Sequence, residues 1–183
     1  MYAGGESAGD AAGRGGACLG TNADAAAFGD VVVLAVPFAA VDAALAEAGT
    51  LEDHVLWSCV NALKPDLSGL AIGFTTSAAE HVAARAGKAR VVAAIPPFAN
   101  AIAGGALAYD AGLPPTVFVC GDDDDAKRVV AGLVRDIGAD AADAGPLSAA
   151  RFVEPAMMLL ISLAYAGVPR DLGLRLLKRD GHA

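Results

Sequence analysis

Four short apolar runs recur along the chain after residue 30, and segments of helical length separate them. The runs are VVVLAV at 31–36, HVLWSCV at 54–60, ARVVAAI at 89–95 and TVFVC at 116–120. Runs that are rich in β-branched residues and apolar at nearly every position are typical of strands covered by helices on both faces. The pattern therefore predicts an α/β fold with a parallel sheet.

The segments between these runs carry helix signals. Segment 38–49 has apolar residues on one face and stops at a glycine, and segment 76–88 opens with Ser77 and Glu80 in capping-box spacing. Segment 121–138 opens with carboxylates, which favour the positive end of a helix dipole. Strand and helix alternate up to about residue 145, which predicts an α/β sheet with right-handed crossovers followed by C-terminal helices.

The tail of the chain departs from this alternation. Segment 148–167 is apolar on nearly every face beyond Pro155, and segment 169–181 predicts a second helix. A helix that is apolar all round must be covered on more than one side. Either the sheet domain and the neighbouring helix enclose it or a second subunit does, and we favour a homodimer formed through residues 148–178.

Three parts of the chain follow from these patterns. Residues 1–28 are a leader rich in Gly and Ala with few large apolar side chains, which can bury little surface. Residues 29–147 are predicted to be a partial dinucleotide-binding domain, and residues 148–183 a helical segment that dimerises.

Composition and charge narrow the classes of function. The 183 residues are 55% hydrophobic and carry a formal net charge of −8, without a cluster of basic residues, which argues against nucleic acid as a partner. The longest apolar stretch, AMMLLISLAYAGV, is shorter than the roughly 20 residues that span a bilayer. No signal peptide is apparent, and the three cysteines lack metal or redox spacing, so we expect a cytoplasmic protein that does not bind membranes.

Candidate site residues follow the apolar runs, because an open parallel sheet binds ligands at the carboxyl ends of its strands. Most of them are apolar, and Asn61 is the one amide among them. An apolar site with one amide suits a planar ring that is held for hydride transfer. Hydrolysis or acyl transfer would need a nucleophile with its base, and the sequence offers no such arrangement. The candidates are Ala35, Val36, Pro37 and Phe38 after the first run, Asn61 and Ala62 after the second, Ile95 and Pro96 after the third, and 121–123 after the fourth.

Two charged groups allow alternative interpretations. The run Asp122 to Asp125 could ligate a divalent cation, but adjacent residues at a helix start point in different directions, so helix capping is favoured and no metal site is predicted. Arg151 and Glu154 could form a buried structural pair or face the ligand, and the structural role is favoured.

Several long segments resemble the NADPH-dependent reductases of the deazaflavin coenzyme F420 and the related NADP-binding oxidoreductases. They are DVVVLAVPFAAV, NALKPDLSGLAIGFTTSAAE and VFVCGDDDDAKRVVAGLVRDIGADAADAGPLSAARFVEP, and the resemblance runs from about residue 20 to 178. It implies an α/β fold with a Rossmann-like parallel sheet, truncated in this chain, and C-terminal helices that dimerise. It also implies NADP (NADPH) as cofactor and coenzyme F420 as co-substrate. Hydride would pass directly between the two without a dedicated acid or base.

The resemblance also assigns positions, with departures. Val36 and Pro37 match the surface that packs on the nicotinamide and ribose, and Asn61 matches the polar residue of a T-N-P segment beside the nicotinamide. Ala62 stands at the proline of that segment. In the third run Ala93 and Pro96 replace a lysine and an asparagine of the family pattern, so two polar contacts near the reacting centre are lost.

The family's first strand and its G-x-G-x-x-G turn are not recognisable. GRGGAC at 13–18 fits only partly, and no strand precedes it. In the usual strand order the missing strand would lie beside 31–36, so its absence leaves an apolar sheet edge. Another subunit, the leader or upstream residues of a longer gene product could cover this edge. A non-catalytic remnant that acts as a dimerising interaction protein is therefore the alternative function.

Overall fold

The structure is a computed structural model that describes residues 18–96, 102, 109, 112–167, 172–177 and 179. Within these residues the chain forms one sheet whose strand order is β1-β2-β3-β4-β5. Each of the four predicted runs forms a strand. The strands are β1 (Val31–Leu34), β2 (Val55–Ser58), β3 (Arg90–Ala94), β4 (Thr116–Gly121) and β5 (Asp140–Gly145).

Helices connect and cover these strands. Four of the five predicted helices are confirmed with shorter bounds, and one further helix lies in the segment predicted to be a leader. In the described part of the chain the helices are α1 (Asn22–Phe28), α2 (Val41–Ala48), α3 (Ala78–Arg85), α4 (Asp124–Asp136) and α5 (Ala150–Tyr165), with 3-10 turns at Phe38–Ala40 and Leu147–Ala149.

The prediction of an α/β fold is confirmed, but the sheet is only mostly parallel. Strands β1, β2 and β3 are parallel, β4 runs antiparallel to β3, and β5 is parallel to β4. An apolar run shows that a strand is buried on both faces and carries no information on its direction. For this reason the sequence pattern could not predict the reversal at β4.

Strand β5 and helix α1 were not predicted. Strand β5 reads DAADAG, without a β-branched residue, and forms because β4 pairs with it along its length. Helix α1 begins with a reciprocal cap, in which the Thr21 side chain accepts from the Asp24 amide while the Asp24 carboxylate accepts from the Thr21 amide. Among the described residues 18–28 of the predicted leader, Ala26 is buried and the others are exposed.

Side chains of the strands alternate between the two faces of the sheet and pack into two hydrophobic cores, one on each face. Leu56 packs with α2 and α3 residues such as Val41 and Val82 on one face, and Trp57 packs with α4 residues such as Val130 on the other. The Trp57 indole Nε1 also donates to the Ala94 carbonyl oxygen at 2.7 Å. Each fully buried Val or Leu contributes about 1.5 to 3 kcal/mol, so the two cores fix the positions of the strand ends.

The predicted C-terminal helix at 169–181 is not present in its described part, residues 172–177 and 179. This segment instead lies against the start of β4. The Thr116 amide donates to the Leu174 carbonyl at 2.7 Å, and the Leu176 amide donates to Thr116 Oγ1 at 3.0 Å. Gly173 permits this approach, because a Cβ there would lie 2.9 Å from Pro115 Cβ. Contacts with β4 therefore override the helical pattern.

Helix α5 and the turn before it are long and apolar enough, by length and composition alone, to cross a membrane. They span Leu147–Tyr165, with a mean hydropathy of 1.5, and 28% of the apolar stretch is buried. The apolar run AMMLLISLAYAGV alone is too short to span a bilayer, whereas the complete segment Leu147–Tyr165 is long enough. Core helices of soluble proteins pass the same test, and Ala150, Glu154, Met157 and Ala164 of α5 are buried.

Candidate functional site

A cleft of about 650 Å³ opens where the carboxyl ends of β1, β2 and β3 meet helix α5. Most of the side chains in its wall are apolar, and the wall contains no carboxylate and no histidine among the described residues. They are Ala35, Val36, Pro37, Phe38, Ala39, Cys59, Asn61, Leu63, Lys64, Pro65, Leu67, Ile95, Pro96, Ile102, Met157, Leu160, Ile161 and Leu172.

Seven of the eight residues predicted to bind the cofactor lie in this wall. They come from three parallel strands whose carboxyl ends lie side by side, as the sequence pattern predicted. Ala62 is the exception. It is fully buried, and its carbonyl oxygen accepts a hydrogen bond from the Ala71 amide at 2.6 Å, so it supports the loop behind Asn61.

Residues 121–123 do not reach the cleft. Strand β4 is antiparallel to β3 and places Gly121 opposite Val92, so the residues that follow it lie away from the carboxyl end of β3. Asp123 instead caps α4 by accepting from the Ala126 amide at 2.7 Å, and Asp122 accepts from the Leu147 amide at 2.9 Å. The predicted capping role is confirmed for Asp123.

Asn61 is the polar residue in the floor of the cleft. Its Nδ2 donates to the Glu154 carbonyl oxygen at 3.3 Å, and its Oδ1 is buried without a hydrogen-bond partner in the described part of the chain. A buried acceptor without a partner costs about 1–3 kcal/mol. Asn61 thus brings an unsatisfied acceptor to the wall of the cleft.

Glu154 fixes the element that faces Asn61. Its side chain is 1% exposed, and its two oxygens accept from the Ala78 and Ala79 amides at 2.8 and 3.1 Å, at the start of α3. Burial raises the pKa of Glu154 to about 7, although the two amide hydrogen bonds oppose this shift. The carboxyl group ties α5 to α3 and does not line the cleft.

Arg151 does not pair with Glu154. Its guanidinium donates to both oxygens of Glu80 at 2.6 and 2.8 Å, which lowers the pKa of Glu80. Glu80 also accepts from the Ser77 hydroxyl at 2.9 Å, and Ser77 caps α3. Arg151 and Glu154 thus both have the favoured structural role, but they bind other groups and not each other.

Two further residues of the wall, Cys59 and Phe38, are described by their surroundings. Burial raises the pKa of Cys59 to about 12, so this thiol is protonated and not nucleophilic at neutral pH. The Phe38 ring meets the His81 ring edge to face at 5.1 Å, and His81 Nε2 lies 2.7 Å from Asp42 Oδ1. The position of Phe38 therefore depends on a polar cluster outside the cleft.

Sequence reasoning missed the part of the wall that comes from outside the strand ends. Helix α5 contributes Met157, Leu160 and Ile161, and the loop after Asn61 contributes Leu63 to Pro65 and Leu67. The apolar character of α5 on every face was a usable signal, because one of its faces covers this cleft. The loop carried no comparable signal.

A second, polar groove of about 420 Å³ lies between α4 and the strands β4 and β5. Two of its cations contact carboxylates: Lys127 contacts both Asp124 and Asp143, and Arg128 contacts Asp125. The pair of Lys127 with Asp143 joins α4 to β5, whereas the other two lie within α4.

Comparison with known proteins decides the family. The chain is 35% identical over 164 residues to the F420-dependent NADP reductase of Methanothermobacter thermautotrophicus. The alignment covers 85% of this chain and 69% of that protein. The family described as NADP oxidoreductase coenzyme F420-dependent matches residues 4–62. The chain belongs to the F420-dependent NADP oxidoreductase family. The match also begins earlier, within the leader, than the resemblance starting at about residue 20 predicted.

Solved structures agree with this assignment. A candidate F420-dependent NADP-reductase of Arthrobacter sp. FB24 superposes with a TM-score of 0.76 and 30% identity, with 86% of this chain and 74% of that chain covered. A protein of Sinorhizobium meliloti superposes with a TM-score of 0.65 and 24% identity, with 86% and 71% covered, and supports the fold. Family membership supports an NADP oxidoreductase function.

Proposed function

We propose that the cleft holds the nicotinamide of NADPH against the ring of a deazaflavin, coenzyme F420 or a related acceptor, for direct hydride transfer. The observation that carries this proposal is the cleft itself, with apolar walls at the carboxyl ends of three parallel strands and one amide in its floor. When bound, NADPH supplies the hydride and the deazaflavin accepts it.

The residues of the wall fit the nicotinamide. The buried Oδ1 of Asn61 lacks a donor in the described part of the chain, and the carboxamide of a nicotinamide carries N–H donors. Val36, Pro37 and Ile95 provide apolar surface that orients a planar ring and excludes water. Direct hydride transfer needs no acid or base, and the described residues of the wall include no carboxylate and no histidine.

The phosphate half of the cofactor has less support in the described residues. Strand β1 is the first strand among them, and they contain no strand that leads into a glycine turn and a helix before it. The partial fingerprint GRGGAC lies almost wholly in 1–17, outside the described residues. The proposal therefore assigns binding mainly to the nicotinamide half of the dinucleotide.

Fluorescence titration with NADPH tests this proposal. We expect saturable binding in the micromolar range, with a change in the fluorescence of the nicotinamide when it enters an apolar cleft. Binding no tighter than millimolar would contradict the enzyme function for this chain. It would then favour a non-catalytic interaction protein, for which the unpaired outer edge of β1 in the described sheet is the supporting observation.

We also propose that the protein is a cytoplasmic homodimer formed through residues 148–178. One face of α5 packs on the domain, whereas Phe152, Leu159 and Leu163 on the other face are exposed. The face is continuous, because these residues are spaced by whole helical turns. Large apolar side chains exposed along one stripe are typical of an interface between subunits. Free cysteines at 18, 59 and 120 fit a reducing compartment.

A further inference from the structure

The cleft has a single charged residue in its described wall. Lys64 is exposed at the rim, between Leu63 and Pro65, and forms no ion pair with the described residues. Most other cations of the described chain have carboxylate partners: Arg85, Lys88, Lys127, Arg128, Arg151 and Arg175. Lys64 is thus a cation available to a ligand, at the entrance of the proposed cofactor site.

Backbone hydrogen bonds fix the position of Lys64. Its amide donates to the Gly69 carbonyl at 2.9 Å, and its carbonyl accepts from the Leu67 amide at 2.9 Å. Leu63 and Leu70 form a β-bridge next to it, and the Ala71 amide donates to the Ala62 carbonyl at 2.6 Å. The loop is closed on itself, so ligand binding does not have to order it.

The local electrostatics leave the charge of Lys64 largely uncompensated. Asp66 is the acidic side chain that it influences, but it lies beyond ion-pair distance, and the Asp66 carboxylate accepts from the Ser68 amide at 3.0 Å. Most of the remaining wall is apolar, so Lys64 is the charge that a ligand in the cleft meets among the described lining residues. In a protein of net charge −8, such a cation selects for an anionic group.

We propose that Lys64 binds a phosphate group of the ligand whose ring occupies the cleft, and so selects phosphorylated over neutral ring compounds. This inference rests on the proposed function. The phosphate could belong to NADPH or to the side chain of coenzyme F420, and the chemistry of the contact is the same in both. Lys64 acts here as a specificity residue and takes no part in the hydride step.

Binding measurements on three variants test the assignment. The dissociation constants of NADPH, of oxidised coenzyme F420 and of the phosphate-free deazaflavin riboside are measured for the wild type, Lys64→Gln, Lys64→Arg and Lys88→Gln at several salt concentrations. Lys88 is the matched control, because it is an exposed lysine that is paired with Glu52 away from the cleft.

We expect Lys64→Gln to weaken at least one of the two phosphorylated ligands about tenfold and to reduce the salt dependence of its binding. The affinity for the riboside should not change, Lys64→Arg should retain most of the binding, and Lys88→Gln should behave like the wild type. The affected ligand identifies the source of the phosphate.

Two results would overturn the assignment, and they are distinguishable. If the wild type binds both phosphorylated ligands and Lys64→Gln binds them equally well, the role of Lys64 is wrong and the proposed function stands. If the wild type binds neither ligand, the proposed function fails, and the role of Lys64 fails with it.

Discussion

Individual residues of this protein divide into those that shape the cleft and those that hold its walls. Glu154 belongs to the second group, since its carboxylate accepts from two amides at the start of α3 while its carbonyl holds the Asn61 side chain. Burial of the carboxylate opposes its charge, whereas the helix dipole and the amides favour it. The balance makes the contact between α3 and α5 sensitive to pH.

Glu154→Gln should change the pH dependence of stability. The pKa of Glu154 is raised in the folded protein to about 7, so its contribution is fully present below about pH 4.5, its ordinary value, and is lost as the pH rises through 7. We expect the wild type to lose up to about 3 kcal/mol of unfolding free energy from this group between about pH 5 and 8.

Urea denaturation across this pH range measures the effect. The unfolding free energy of Glu154→Gln should vary less with pH than that of the wild type, and Glu47→Gln, at an exposed glutamate of α2, should follow the wild type. A difference between wild type and Glu154→Gln that stays constant with pH would contradict the assignment.

At the residue scale the sequence predicted strand-end residues well and distant partners poorly. Pro37, Asn61 and Ile95 follow directly after apolar runs, so their convergence could be predicted from the parallel topology. The contact of Glu154 with Ala78 joins residues far apart in the chain, and neither residue carries a local signal for it. Lys64 was missed because a single lysine in a loop is typical of any surface.

At the scale of elements, α5 serves two surfaces of the protein. Met157, Leu160 and Ile161 close the cleft, whereas Phe152 and Leu159 are 74% and 57% exposed on the opposite side. The cleft therefore explains why α5 is apolar on the side that faces it, but not why α5 is apolar on the opposite side. The other side carries the proposed dimer interface.

Leu159→Glu should dissociate the proposed homodimer without unfolding the subunit, because an exposed position tolerates a charge within about 0.5 kcal/mol. Sedimentation velocity at micromolar concentrations measures the assembly state. Val129→Glu is the matched control, since Val129 is 44% exposed on α4, outside 148–178. A wild-type monomer, or a dimer that survives Leu159→Glu, would contradict the interface.

Elements with a strong local pattern were predicted, and those formed by pairing were not. The runs at β1 to β4 and the caps of α3 and α4 are local signals and were found. Strand β5 exists because β4 aligns it, and residues 172–177 are non-helical because Thr116 binds them. Contacts of this kind depend on tertiary structure, which a single sequence pattern does not contain.

At the scale of the whole molecule, three parallel strands and one C-terminal helix enclose an apolar cleft in a protein of the F420-dependent NADP oxidoreductase family. The antiparallel direction of β4 places the acidic start of α4 away from this site, and the described residues of the wall include no carboxylate. We propose that this wall, with Asn61, orients two rings for hydride transfer.

Deuteride transfer tests that claim most directly. NADPH labelled with deuterium at its reacting carbon is mixed with protein and oxidised coenzyme F420 in ordinary water, and the reduced deazaflavin is analysed by mass spectrometry. The account predicts that the product carries deuterium. It also predicts that Asn61→Ala slows the transfer about tenfold through lost orientation, whereas Asn22→Ala, at an exposed asparagine bonded to Glu47, does not. Hydrogen from solvent in the product, no reduction at all, or an Asn61→Ala rate equal to that of the wild type would contradict the account.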